Sequence, residues 1–182
     1  MKNYRTKKYS MAAVAVITLV LAGCLVSGTF VLSIMLYKDK DLVYNNDFYY
    51  DEVDLTEESV WKDHGDNIKN IDVVGFELWA TNNSGTTNTI NVYATNTTSS
   101  LDSLSTRTEV SDSATQVIKE LPLATNKTHI SYGQSFKYLI NTGILKGLVK
   151  NGTFKAFVML KTPSVDVTVD SLRVIVTLSA GA

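Results

Sequence analysis

Short stretches in which apolar and polar residues alternate recur along the chain after residue 70, and they predict a mainly β domain. Residues 89–95 alternate without a break, so that Ile90, Val92 and Ala94 point to one side. Strands are also predicted over 71–81, 115–121 and 153–160. Polar turn residues at 82–85 predict that the strands over 71–81 and 89–95 form a hairpin.

The segments between these strands carry weaker signals. Residues 96–113 are rich in Ser, Thr and Asn, which predicts a surface loop. A further strand is predicted over 131–137. Residues 138–150 stay open between helix and strand, because Gly143 and Gly147 weaken any helix there.

The last strand changes its apolar side part-way along. Its apolar residues stand at odd positions up to Val169 and at even positions from Leu172 onward. A change of parity would expose one half of the strand's apolar face unless the chain is irregular there. We therefore predict a β-bulge or strand switch at Asp170 and Ser171, a device found in the long bent strands of sandwiches and jelly rolls.

The N-terminus has the layout of a secretory signal peptide. A basic segment is followed by an apolar run over 11–25 and by small residues, which predicts cleavage before Thr29. Two alternatives stay open. Residues 21–24 match a lipobox, which would leave a lipidated Cys24. The uncharged run over 11–36 is also long enough to span a bilayer, either as a retained anchor or as a pilin-type helix cut after Ser10.

Residues 29–37 are richer in β-branched and aromatic residues than the leader, which favours a strand. With a period of two, one face of this strand carries four large apolar side chains, namely Phe30, Leu32, Ile34 and Leu36. Such a face must enter a core after cleavage. The core belongs either to its own subunit or, by strand addition, to a neighbouring one.

Charge and cysteine content narrow the function classes. Removing residues 1–28 leaves 13 basic and 18 acidic residues, a net charge of −5. This balance argues against a nucleic acid or an anionic membrane as partner, so that a membrane is met only during export. Cys24 is the single cysteine, and an exported domain therefore has no disulfide to stabilise it.

Acidic residues concentrate between positions 47 and 66. Apolar and aromatic residues are interleaved with them, so part of the stretch should be buried, and buried carboxylates need a partner. Ca²⁺ takes about six to eight oxygen ligands. The stretch therefore predicts a calcium site, with a solvated acidic loop as the alternative. The candidate ligands are Asp47, Asp51, Glu52, Asp54, Glu57, Asp63 and Asp66.

Motifs of catalysis are absent from the sequence. His64 and His129 belong to no H-E-x-x-H arrangement, and the sequence around Ser135 lacks the second glycine of a nucleophile elbow. No phosphate-binding or dinucleotide-binding glycine motif is present. We therefore expect the chain not to be an enzyme.

The abundance of Ser, Thr and Asn is typical of extracellular β proteins. We accordingly expect the mature domain outside the cell or at its surface. Four N-x-[ST] triplets are candidate glycosylation sites, headed by Asn82, Asn96, Asn126 and Asn151.

Three stretches of the sequence resemble one known family. Residues 7–10 (KKYS), 17–28 (ITLVLAGCLVSG) and 37–44 (YKDKDLVY) are similar to the cannula subunits of hyperthermophilic archaea, and the chain length and the β-rich body agree. Cannulae are hollow extracellular tubes that link cells. The resemblance implies subunits that lose a signal peptide, fold as jelly-roll-like domains, and polymerise with calcium through donated N-terminal strands.

The resemblance further implies that Phe30, Leu32, Ile34 and Leu36 form the donor strand and that Ca²⁺ lies at subunit contacts. The partner would be the chain itself or related subunits, joined head to tail as a self-assembling tubule. The expected division is a signal peptide over 1–28, a donor strand segment over 29–40 and an all-β, jelly-roll-like antiparallel sandwich over 41–182. A pilin-like filament subunit and a monomeric surface-anchored binding module stay open as alternatives.

Overall fold

Antiparallel strands dominate the structure, a computed structural model that describes residues 27–43, 48–58, 61–62, 68–162 and 166–181. Eight strands and three helices have both ends within these residues, and residues 61–62 are also helical. In chain order they are β1 (Ser27–Val43), β2 (Tyr49–Asp54), β3 (Ile68–Asn82), β4 (Asn88–Thr95), α1 (Arg107–Ser113), β5 (Thr115–Leu123), β6 (Lys127–Ile130), α2 (Tyr132–Ser135), α3 (Thr142–Asn151), β7 (Thr153–Leu160) and β8 (Asp166–Gly181).

The strands form two four-stranded sheets. Sheet A has the order β1-β8-β3-β6, and sheet B has the order β2-β7-β4-β5. The first four strands alternate between the two sheets, and β6, β7 and β8 alternate again. This is the strand order of an eight-stranded jelly roll. The prediction of an all-β antiparallel sandwich of jelly-roll type is confirmed.

The predicted hairpin of β3 and β4 is wrong, because the two strands belong to different sheets. Asn82, at the end of β3, is 1% exposed. Its side-chain amide donates hydrogen bonds to the carbonyl oxygens of Thr86 (2.8 Å) and Ala124 (2.9 Å). These bonds hold the turn as a bridge between the sheets, so the chain crosses from sheet A to sheet B instead of folding back beside β3.

The segments with weak sequence signals contain the helices. The strand predicted over 131–137 is wrong, because α2 begins there, and the side chain of Gln134 accepts a hydrogen bond from the Ser131 amide (2.9 Å). The predicted loop over 96–113 contains α1, which begins at a capping box of Thr106 and Glu109. The open region 138–150 contains α3, which buries Leu145, Leu148 and Val149 at helical spacing.

The irregularity predicted at Asp170 is confirmed. Ser171 lies opposite Trp79 and Val169 lies opposite Ala80, so Asp170 is an extra residue in β8 relative to β3. The side chain of Thr81 donates a hydrogen bond to the Asp170 carboxylate (2.9 Å). The bulge turns both apolar halves of β8 inward, and Val167, Val169, Val176 and Leu178 are all buried.

A further layer covers the outer face of sheet B. The connection between β4 and β5, residues 96–114, folds over this face and is called the cap below. It buries Leu101 and Val110 against Phe157 and Met159 of β7. Lys155, on the same strand and 9% exposed, donates hydrogen bonds from its ammonium group to the carbonyl oxygens of Ser99 (2.9 Å) and Leu101 (3.0 Å).

Candidate functional site

The N-terminal strand lies at the edge of sheet A. In the described residues its one strand partner is β8, with a register that runs from Ser27 opposite Gly181 to Val43 opposite Asp166. Leu36 is an extra residue in this ladder, because Met35 pairs with Arg173 and Tyr37 pairs with Leu172. Strand β1, Ser27–Val43, extends beyond the expected segment 29–40 at both ends.

The face of β1 expected to enter a core does so within its own subunit. Leu32 and Ile34 are buried, the latter 1% exposed, and Leu36 packs against the same cluster. Val31 on the opposite face is 68% exposed. Phe30 lies on the strand, but its side chain is outside the described part of the chain. A single copy therefore fills its own groove with β1, which was one of the two outcomes that the sequence left open.

Two side-chain contacts fix the C-terminal half of β1. The Tyr37 hydroxyl donates a hydrogen bond to the Asp51 carboxylate on β2. The Thr168 hydroxyl on β8 donates to Asp41 (2.8 Å). Between them Asp39 has a φ of 50°, the left-handed region that non-glycine residues seldom adopt. Polar contacts of this kind hold β1 in place beside its apolar face.

The acidic candidates for calcium are dispersed in the part of the chain that is described. Asp51, Glu52 and Asp54 all lie on β2, a strand that the sequence pattern did not predict. Asp51 is half-buried, whereas Glu52 and Asp54 are exposed on the other face. Glu57, in the following turn, forms an ion pair with Lys62 (3.3 Å). Among the described residues, no three His, Cys, Asp or Glu side chains gather into a group that could hold a metal ion.

Asp47, Asp63 and Asp66 are outside the described residues. The four described candidates do not by themselves make a calcium site, since each is engaged by a neighbour or faces away from the others. Hydrogen bonds from the Thr56 hydroxyl and amide lower the pKa of Asp54 below its ordinary value. Calcium binding by this stretch stays a prediction from the sequence.

The four candidate glycosylation sites differ in access. Asn96, Asn126 and Asn151 are exposed. The amide nitrogen of Asn82 is buried and makes the two hydrogen bonds of the β3–β4 turn, so this side chain has no room for a glycan in the folded domain. Asn82 is therefore a structural residue, and three sequons are left as candidates.

The histidines do not form a catalytic arrangement in the described residues. The ring of His129 on β6 stacks on the exposed Trp79 ring, with centroids 3.6 Å apart and planes inclined by 11°. Its Nε2 atom lies 3.3 Å from the Glu77 carboxylate. His64 is outside the described residues. The sequence pattern did not predict the Trp79–His129 pair, because β6 is only four residues long and was not predicted as a strand.

Comparisons with known proteins add no identity. No protein-family model and no curated protein matches the chain. Among solved structures, a chain of Desmodium yellow mottle tymovirus is 12% identical with a TM-score of 0.31, covering 86% of this chain and 83% of the other. Dimeric latent PorU from Porphyromonas gingivalis is 10% identical with a TM-score of 0.31, covering 86% of this chain but 13% of PorU. Likenesses this weak carry no argument about function.

None of the helices in the described residues is both long and apolar enough to cross a membrane. The apolar run over 11–25 and the start of its extension to 36 lie outside those residues. From position 27 onward the extension belongs to β1. A cleaved leader and a retained anchor therefore both stay open for residues 1–26.

Proposed function

We propose that this chain is a structural subunit of an extracellular tubular polymer, in which β1 of one copy pairs with β8 of the next. The observation that carries the proposal is the position of β1. It is the first described strand, it lies at a sheet edge, and it is joined to the domain through one strand neighbour. Among the described strands, its removal would break the ladder with β8 alone and would open a groove that another copy's β1 fits.

The energetics of such an exchange are close to neutral. The same side chains, Leu32 and Ile34, would enter the same core, and the same ladder with β8 would form between chains instead of within one. Exchange of an identical element is a low-cost route to assembly, and the difference is concentrated in the connection that follows the strand. Each copy would donate to one neighbour and accept from another, which gives a head-to-tail polymer.

The edge itself is poorly protected against pairing. Residues 27–35 of β1 carry no charged side chain, and Val31 stands exposed on the outer face. Natural edge strands are usually shielded by charges, proline or irregularity. Here the charges are confined to the second half, at Lys38 to Asp41. The unshielded half is consistent with an edge that is used for association.

The proposal is tested by a disulfide that reports which copy supplies β1. Val31 and Thr177 are cross-strand partners in β1 and β8, close enough for a disulfide if both become cysteine. Val31→Cys with Thr177→Cys, in a chain that also carries Cys24→Ser, is allowed to assemble and is then oxidised. Strand exchange predicts a ladder of covalent oligomers on non-reducing gels.

A matched control uses the other neighbour of the same residue. Thr177 also pairs with Val73 of β3, and β3 stays within the subunit in any exchange of β1. Val73→Cys with Thr177→Cys must therefore give monomers in assembled and unassembled protein alike. If assembled Val31→Cys/Thr177→Cys protein also gives only monomers, β1 is not exchanged and the proposal fails.

The mature N-terminus and calcium are separate parts of the proposal. Sequencing should begin at Thr29, whereas Met11 would favour the pilin-like alternative. Light scattering with negative-stain microscopy, as Ca²⁺ is added and then chelated, tests the ion. Scattering that is indifferent to Ca²⁺ removes the ion from the proposal and leaves strand exchange to the disulfide test.

A further inference from the structure

A groove opens beside the cap, where β4, β5 and the end of β7 meet. Two adjoining cavities of about 580 Å³ and about 470 Å³ share Thr89 and Lys161. Arg107 and Glu120 line the first cavity, and Pro122 belongs to the second. The two together are called the basic groove.

The side chains of the basic groove are held in position by the backbone around them. The Arg107 guanidinium donates a hydrogen bond to the Leu160 carbonyl oxygen (2.8 Å). Strand β5 has a bulge here, because its residues Lys119 and Glu120 both lie opposite Asn91 of β4. Within the bulge Glu120 has a φ of 50°. The Asn91 side chain accepts a hydrogen bond from the Glu120 amide (2.8 Å) and thereby stabilises this conformation. Bulges of this kind re-aim a side chain.

The charges in the basic groove are not all compensated within the subunit. Among the described residues, neither the Lys161 ammonium nor the Glu120 carboxylate forms an ion pair. No aromatic ring is found among the described lining residues, so a sugar would have no ring to stack on. The Lys161 ammonium without an ion pair, next to an Arg107 side chain that the Leu160 carbonyl oxygen already engages, favours an acidic protein segment as the ligand.

Such a segment lies at the diagonally opposite corner of sheet B. Asp54 pairs with Thr153 at the start of β7, whereas Leu160 at the end of β7 adjoins the basic groove. Seven residues of strand separate these ends, about 23 Å. β2 and β5 are also the two edges of the sheet. The exposed side chains of Asp54 and Glu57, with Lys62 paired to Glu57, are called the acidic corner.

We propose that the basic groove of one copy binds the acidic corner of a second copy. The basic side chains Arg107 and Lys161 would face the carboxylates of Asp54 and Glu57. Glu120 would face the Lys62 ammonium, so that opposite charges meet across the contact. One subunit cannot make this contact with itself, because the two surfaces lie at opposite corners. The contact is between unlike surfaces, which makes it head-to-tail. It rests on the proposed function in that copies of the chain assemble, but it does not involve β1.

A charge-swap cycle on the full mature chain tests the contact. Lys161→Glu and Glu57→Lys each place like charges together, and each should raise the protein concentration needed for assembly about tenfold, corresponding to about 1.4 kcal/mol. The double variant restores opposite charges with reversed sign and should assemble within about twofold of the wild type. Lys127→Glu, an equal charge change on exposed β6, is the control and should leave assembly unchanged.

Each other result overturns the contact. Single variants that assemble like the wild type show that the groove is not at an interface. A double variant no better than the singles shows that its partner is not the acidic corner, and binding of an added acidic polysaccharide that Lys161→Glu abolishes would then identify the ligand class. Strand exchange is read separately from the Val31–Thr177 disulfide, so either proposal can fail while the other stands. A wild type that never assembles overturns both.

Discussion

The hydroxyl group of Tyr37 donates a hydrogen bond to the carboxylate of Asp51, and this bond joins the edges of the two sheets. Tyr37 lies on β1 of sheet A and Asp51 on β2 of sheet B. Both side chains are half-buried, so water replaces the bond poorly if it is lost. If β1 leaves its own subunit during assembly, this bond is one of those that must break first.

Tyr37→Phe should therefore loosen β1 without unfolding the domain. Loss of one half-buried hydrogen bond costs about 1 kcal/mol. Hydrogen–deuterium exchange should become faster at the β1 amides and stay unchanged at the amides of β3 and β7. Tyr50→Phe is the matched control, because its hydroxyl donates to the exposed Glu52 on its own strand. Equal protection of β1 in the wild type and in Tyr37→Phe would show that this bond does not hold the strand.

The buried lysine of β7 gives a second prediction, on the cap. Lys155→Met keeps the buried chain but leaves the carbonyl oxygens of Ser99 and Leu101 without their donor. Buried acceptors without partners cost about 1–3 kcal/mol. We expect a lower free energy of unfolding in urea and faster proteolysis within 96–106. The exposed Lys119→Met should change stability by less than about 0.5 kcal/mol. A resistant cap in Lys155→Met would mean that its apolar contacts alone hold it.

Two glycines should respond to alanine in opposite ways. A Cβ atom at Gly75 would overlap the ring of Tyr132 and lie 3.1 Å from Oγ of Ser135, so the α2 side chains that pack on β3 must shift. Overpacking of this kind costs about 1–3 kcal/mol. Gly147 lies within α3 and a Cβ there meets no atom within 4 Å, so Gly147→Ala should stabilise the domain by about 1 kcal/mol. Thermal unfolding measures both, and a melting temperature of Gly75→Ala at or above the wild type would contradict the packing of α2.

Much of the fold could be predicted from the sequence because alternation reports burial directly. The strands β4, β7 and β8 and the bulge at Asp170 were predicted in this way, since their inward residues reach the core. β2 was missed because Val53 is its one buried residue and three of its six residues are acidic. The distribution of the strands between the two sheets could not be predicted from the sequence. It depends on contacts between residues far apart in the chain, such as the hydrogen bond of Asn82 with Ala124.

The candidate site, too, could be predicted from the sequence only in part. The apolar face of β1 was visible in its own alternation, and Leu32 and Ile34 are buried as expected. Which copy supplies the strand was not visible, because an identical ladder with β8 forms in either case. The basic groove left no sequence signal, because Arg107, Glu120 and Lys161 come from three separate segments that only the folded cap and the β5 bulge bring together.

Tyr50 provides a prediction of how stability depends on pH. Burial raises its pKa, and the hydrogen bond to Glu52 and the nearby negative charges raise it further, to about 12. The raised pKa means that the folded state favours the neutral phenol. Its contribution to stability is complete below pH 10.0, the ordinary pKa, and is lost as the pH rises towards about 12. The urea midpoint of the wild type should fall over this range, and that of Tyr50→Phe should fall less.

The contributions of burial and of Glu52 to the raised pKa of Tyr50 can be separated by titration. Glu52→Gln removes the charge but keeps the burial, which is the larger cause, so the pKa should move part of the way back towards 10.0. The ultraviolet absorbance of tyrosinate, taken as the difference from Tyr50→Phe, reports this group alone. A return all the way to 10.0 would show that Tyr50 is open to solvent and does not pack on Phe157, whose ring centroid lies 5.2 Å away. That outcome would also contradict the packing of the cap, since Tyr50 and the cap residues Leu101 and Val110 belong to the same cluster as Phe157.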